Sequence, residues 1–266
     1  MRLSVYSLIM SEFSPEDVVT KLGQLGYDGV EWRVHETGHI HPDKILQQAE
    51  YFKKLSINNG LEIAALAPYL GPGEIERLRK IFEGCAMMGC PQFRVVAHAY
   101  DREKDYNVLY HQMVDQFGAV EELAKTYGVK ANIEIHMGNI TPSASLAYRL
   151  VSNFDPECIG VIYDPGNMVF EGFENWRLGM QLLGAHLAHV HVKNAHWIPD
   201  HIDEDSNLVW RPEWTTLRSG FVDWRQVIDD LRSIGYQGYL SFEDFSKQLD
   251  TEEKIADDLK YLKQFI

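Results

Sequence analysis

Short runs rich in β-branched and aromatic residues alternate eight times with longer stretches of helical period, and no other feature restricts the fold of this chain as strongly. The strand candidates are LSVYS at 3–7, GVEWRV at 29–34, LEIAALA at 61–67, FRVVAHA at 93–99, ANIEIHM at 131–137, IGVIYDP at 159–165, LAHVHVK at 187–193 and GYLSFED at 238–244. Most are near-continuous apolar runs, as expected of parallel strands covered on both faces. Between them, Ser14 before Pro15, Asp223-Trp224-Arg225-Gln226 and Asp250-Thr251-Glu252-Glu253 read as helix starts, because a short polar side chain can accept from the first free amides. Val18, Leu22 and Leu25 then recur at helical spacing, as do Val227, Leu231 and Ile234, and Ile255, Leu259 and Leu262. Each of these helices has one apolar face to bury.

Eight strand-helix pairs in 266 residues, with no linker or compositional break, predict a single α/β domain over residues 1–266, the (β/α)8 TIM barrel. The outlier is the stretch from Asn194 to Val222, which is long, aromatic and charged and lacks helical period. Long loops in compact domains are usually functional. An ordered lid is therefore expected at about 195–222, with Trp197, Trp210 and Trp214 walling a site after the seventh strand and Arg218 beside them.

Charge narrows the partners. Lys and Arg total 25 against 39 Asp and Glu, a net −14, which opposes a polyanion, so no nucleic acid partner is expected. The longest apolar run, IAALAPYL at 63–70, is far short of the ~20 residues that span a bilayer, so no membrane segment is expected. Cys85, Cys90 and Cys158 are odd in number and follow no zinc-ribbon spacing, which suggests reduced thiols and a cytoplasmic protein. A homo-oligomer is compatible with the sequence and not specified by it.

In a barrel of this kind the site lies at the C-terminal ends of the strands. The sequence places there Glu31 and Arg33, His98, Glu134 and His136, Asp164, His191 and Lys193, and Glu243 and Asp244. Buried charge is costly unless paired or bound to metal. Glu134, Asp164, His191 and Glu243, from four successive strands, form a candidate site for one divalent metal ion. Three carboxylates with one imidazole suit Mn, Mg or Co, and Zn also fits. His136 shares a strand face with Glu134 and reads either as a substrate contact or as an ordinary hydrogen-bonded histidine. Lys193 reads as a substrate-binding cation or as the partner of a rim carboxylate. Glu31 reads as a substrate or supporting carboxylate, or as an ion pair with Arg33 or Arg94. His189 reads as a satisfied core histidine, and Asp164 doubles as a turn residue.

NIEIH at 132–136, YDPGN at 163–167, HVHVKN at 189–194 and GYLSFED at 238–244 together resemble the xylose-isomerase-like barrels, commonly called sugar phosphate isomerases/epimerases. The resemblance covers nearly the whole chain. It implies that Glu134, Asp164, His191 and Glu243 bind the metal, and that Glu134 and Glu243 are also the catalytic acid/base pair. The implied activity is isomerisation or epimerisation of a small ketose or related hydroxy-carbonyl sugar through an enediolate, with a small-molecule sugar as the partner. From their places at the rim and the lid, the candidate substrate contacts are His136, Lys193, Arg218, Glu31, His98, Asn167 and Trp197. Two positions depart from the family pattern: Asn167 stands where epimerases often carry a His, and Arg218 is only an approximate counterpart of the Arg they place after the seventh-strand His.

Three alternatives use the same scaffold. An inosose-type dehydratase would replace reprotonation with elimination. A metal-dependent endonuclease is opposed by Asn167, by the charge of −14 and by the lack of an Asp-x-His pair at the lid. A non-catalytic sugar-binding barrel is opposed by the retention of both glutamates. No Gly-rich loop offers a phosphate cradle, which favours an unphosphorylated substrate.

Overall fold

The computed structural model describes residues 1–266. Eight parallel strands close into a barrel: β1 (Arg2–Tyr6), β2 (Gly29–Val34), β3 (Glu62–Pro68), β4 (Gln92–Val95), β5 (Lys130–Glu134), β6 (Ile159–Tyr163), β7 (Leu187–Val192) and β10 (Tyr239–Phe242). The final strand is numbered β10 because β8 (Asn194–Ile202) and β9 (Leu208–Thr215) intervene as a separate antiparallel hairpin. Closure is made by β10, which pairs with β7 on one side and with β1 on the other. The predicted TIM barrel is the observed fold.

The helices are α1 (Pro15–Leu25), α2 (Ile45–Asn58), α3 (Ile75–Met88), α4 (Tyr106–Tyr127), α5 (Ala144–Val151), α6 (Pro165–Phe170), α7 (Trp176–Leu183), α8 (Trp224–Ser233) and α9 (Thr251–Leu262). The expected caps are in place: Ser14 accepts from Asp17 N, Asp223 from Arg225 and Gln226 N, and Asp250 from Glu253 N. At the other end of α1, Gly26 takes φ +81°, a left-handed conformation that closes the helix and that side chains with a Cβ adopt only under strain.

Packing follows the two periodicities. Trp32 is fully buried and sits edge-on to Phe52 at 4.9 Å, with its indole N–H donating to Ser56 Oγ at 3.3 Å, which ties β2 to α2. Truncating such a side chain to Ala costs ~3–5 kcal/mol. No helix is long and apolar enough to cross a membrane.

Several strands end before their expected runs do. Residues 96–99 leave the β4 ladder: Val96 N donates to Leu70 O, and Ala99 bridges to Asn139. The β5 and β6 runs stop at Glu134 and Tyr163, because the chain then turns to build the site, with Asp164 capping α6 through Asn167 N. Stretch 194–222 is mostly an ordered hairpin, anchored by Asn194, whose side chain bonds Leu217 O and Val222 O.

The barrel interior departs from the usual branched aliphatic filling. The strand registers align Ser4 with Ser241, Ser241 with His191, Tyr6 with Glu31, and Arg94 with Asn132. All seven residues are buried. Polar surface buried inside a barrel is costly unless it is hydrogen-bonded.

Candidate metal centre

Four side chains from the C-terminal ends of β5, β6, β7 and β10 converge. The ligand atoms of Glu134, Asp164, His191 and Glu243 all lie within 4.8 Å of one another, and all four residues are buried. Glu134 ends β5 and Asp164 follows β6. His191 lies one residue from the end of β7, and Glu243 follows β10, continuing its ladder through N–H to Val192 O at 2.9 Å. His191 Nδ1 is 3.1 Å from Glu134 Oε1, 3.5 Å from Asp164 Oδ2 and 3.5 Å from Glu243 Oε2. The four together form a cluster able to hold one metal ion.

Cations and amides surround this cluster. Arg94 Nη1 donates to Glu134 Oε2 at 2.8 Å. Lys193 Nζ lies 2.9 Å from Asp164 Oδ2 and also contacts Glu243 Oε2. Asn167 Nδ2 donates to Asp164 Oδ2 at 2.9 Å and to Glu134 Oε1 at 3.2 Å, while its backbone N–H donates to Asp164 Oδ1 at 2.8 Å. Behind His191, Glu31 accepts from two histidines, His191 Nε2 at 3.2 Å and His189 Nε2 at 2.9 Å. The Tyr6 ring stacks on His191 with centroids 6.0 Å apart, and its hydroxyl bonds Tyr69.

The electrostatics fit a divalent cation. Glu31, Glu134, Asp164 and Glu243 are four buried carboxylates against two fixed cations, Arg94 and Lys193, a deficit that one divalent ion makes up. Burial raises the carboxyl of Glu243, opposed by Lys193 and His191. For Glu134 burial acts the same way but is overcome by Arg94 and His191, which hold the group well below the usual carboxylate range. Burial disfavours an imidazolium at His191, yet the charges of Glu31 and Glu243 keep it well above its ordinary value. An oxygen-rich set with one imidazole suits hard or borderline divalent ions.

Beyond the cluster the outcome is mixed. His136 lines a cavity of about 300 Å³ together with Arg94, Tyr69 and Glu134, and its Nδ1 lies 2.6 Å from Met137 O. Lys193 and Asn167 touch the cluster directly. Glu31 is not paired with Arg33 or Arg94, because Arg94 reaches across to Glu134 and leaves Glu31 to the two histidines. His98 is not brought to the cluster: once the chain leaves β4, its Nε2 turns to Gln116 Oε1 on α4 at 2.9 Å. Arg218 is also elsewhere, paired with Asp257 at 2.6 Å and stacked on Tyr261. Trp197 donates to Val169 O at 2.7 Å, and it is Trp214 that reaches Lys193, 5.2 Å from Nζ to ring centroid, between Phe170 and Phe245. The sequence offers Arg94 only as a partner for Glu31, and Gln92 lies just outside the apolar run 93–99; a cation inside that run is the one signal that could have pointed to Arg94.

The chain matches the family model described as xylose isomerase-like TIM barrel over residues 19–265. Among curated relatives, Uncharacterized protein MJ1311 of Methanocaldococcus jannaschii is 26% identical, covering 91% of this chain and 83% of its own. An inosose dehydratase of Lactiplantibacillus plantarum is 28% identical over 46% of this chain and 42% of its own length. Among solved structures, the 3-keto-D-glucoside 4-epimerase YcjR of E. coli superposes with TM-score 0.77 at 18% identity, covering 99% of both chains. The IOLI protein with a bound zinc atom superposes with TM-score 0.78 at 19% identity, covering 100% of this chain and 99% of its own. At such identities the structural likeness is one of fold. With the family model spanning nearly its whole length, the chain belongs to the xylose isomerase-like TIM barrel family.

Proposed function

We propose that this barrel is a divalent-metal-dependent isomerase or epimerase acting on a small ketose or related hydroxy-carbonyl sugar. The convergence of Glu134, Asp164, His191 and Glu243 on one point carries the reading. A bound divalent ion would polarise the carbonyl and adjacent hydroxyl of the substrate and so lower the cost of an enediolate.

This chain's own groups do the rest. Glu134, kept ionised by Arg94, would take the proton from the substrate carbon. Glu243 comes from the other side of the cluster, three strands away around the barrel with β6 and β7 between, and would return a proton on the opposite face. The Lys193 ammonium and His136 are hydrogen-bonding groups for substrate oxygens. Trp214 and Phe245 flank Lys193, and the β8–β9 hairpin that carries Trp214 serves as a lid excluding water. A zinc atom bound by the IOLI protein, which shares this fold, supports a metal here.

A second reading is a dehydratase, favoured by the inosose dehydratase relatives and by the Lys193 ammonium, a proton donor for a departing hydroxyl. The two are separated by incubating the metal-loaded protein with ketoses and inososes in D2O. Deuterium incorporation with retained water content identifies isomerisation or epimerisation, and loss of water identifies the dehydratase. A wild-type protein that takes up no divalent ion and exchanges no substrate proton overturns both.

A further inference from the structure

A chain of buried hydrogen bonds runs across the inside of the barrel to His191, and its direction is set by a backbone carbonyl. Gln92, the first residue of β4, donates from Nε2 to Ala64 O at 3.2 Å, while its Oε1 accepts from Asn132 Nδ2 at 2.8 Å. A carbonyl only accepts, so the amide group of Gln92 is fixed with its NH2 toward β3. That same Nε2 lies 3.3 Å from His189 Nδ1, which must therefore be the acceptor. His189 then carries its proton on Nε2 and gives it to Glu31 Oε2 at 2.9 Å. The other oxygen, Glu31 Oε1, lies 3.2 Å from His191 Nε2 and accepts from it. What remains is His191 Nδ1, which faces Glu134, Asp164 and Glu243 and is the nitrogen left for a metal ion to take.

We infer that Gln92, His189 and Glu31 are positioning residues that hold His191 in one tautomer and ring orientation, presenting Nδ1 as a metal donor. This rests on the metal-centre reading above. Losing the second partner of a metal-bound histidine typically costs ~10–100-fold in metal affinity. The interior is shaped for the chain: Glu31, His189 and His191 are fully buried, and at Gly160 a Cβ would stand 2.4 Å from Asn132 Oδ1. Aliphatic filling would pack this space equally well and would leave His191 free to rotate or exchange tautomers. The trio Glu31, His189 and His191 could also be read as a second metal group, but its contacts of 2.9 and 3.2 Å are hydrogen-bond lengths.

Two measurements test this. Long-range 1H–15N correlation of the zinc-loaded wild-type protein reads the tautomers directly. Protons on Nε2 of both His189 and His191 are expected, and a proton on Nδ1 of either overturns the inference. Mn2+ affinity is then compared among wild type, Glu31→Gln and Gln92→Met, with thermal unfolding reporting the folded fraction. Glu31→Gln is expected to weaken Mn2+ binding ~10–100-fold, and Gln92→Met, several links away, by a smaller ~3–10-fold. The Co2+-loaded Glu31→Gln variant should also show a shifted d–d absorption. Wild-type affinity and an unshifted spectrum in a folded Glu31→Gln protein overturn the inference alone, as does uptake of two ions per wild-type chain. A wild-type protein that binds none overturns it together with the reading on which it rests.

Discussion

Arg94 and Glu134 form a buried ion pair across adjacent strands, with Nη1 2.8 Å from Oε2 and side chains only 8% and 6% exposed. Removing one partner strands the other as an uncompensated buried charge. Arg94→Met is therefore expected to destabilise the protein by ~3–5 kcal/mol, read as the shift in urea unfolding, with Arg94→Lys intermediate because a single ammonium cannot reproduce the guanidinium fork.

Replacing Glu134 or Glu243 by Gln keeps volume and hydrogen bonding but removes a proton acceptor. Each variant should lose ~10²–10⁴ in substrate-dependent deuterium exchange while retaining its circular dichroism spectrum. Undiminished exchange in both would transfer the proton chemistry to His136 or Lys193.

Metal removal is expected to destabilise the native state, since the carboxylates of the cluster would then face one another with only Arg94 and Lys193 to offset them. At free Mn2+ of ~100 times Kd the linkage is worth ~2.7 kcal/mol, or about 5–10 °C in Tm for a chain of this size. Calorimetry with and without a chelator measures it, and a Tm insensitive to chelation would contradict a resident ion.

Trp214 rather than Trp210 is expected to matter for turnover. Trp214 packs between Phe170 and Phe245 beside Lys193, whereas Trp210 is half exposed farther along the hairpin. Trp214→Ala should lower kcat/KM by at least ~5-fold, and Trp210→Ala should leave it unchanged. Equal effects would mean that the hairpin acts through its backbone alone.

Asp258 supplies a pH dependence remote from the cluster. Burial, with Asp244 and Asp257 nearby and only Lys254 and Arg218 in opposition, raises its carboxyl to about 9. Its native value lies above its unfolded value, so its contribution to stability is complete at acid pH and is lost as pH rises toward 9. Asp258→Asn, unable to ionise, should gain in Tm relative to wild type progressively from pH ~5 to ~9. A constant Tm difference across that range would show that Asp258 does not titrate there.

Local chemistry determined much of this protein. Continuous apolar strand runs, capping residues such as Ser14, Asp223 and Asp250, and the returning helical period specify eight strand-helix units, because each signal acts within a few residues. Glu134, Asp164, His191 and Glu243 were legible for the same reason: a strand end in such a barrel has only one rim to occupy. Pairings across the barrel were not legible. That Arg94 serves Glu134 while Glu31 serves two histidines depends on closure and register, which bring together residues 40 and 158 positions apart. His98 and Arg218 read as site residues from their place in the chain. Where β4 ended and how α9 packed decided instead, turning the first toward Gln116 and the second toward Asp257. Strand and helix formation is a short-range property of the chain, whereas the partner of a buried charge is whichever group the closed barrel places within hydrogen-bond reach, and only tertiary structure selects it.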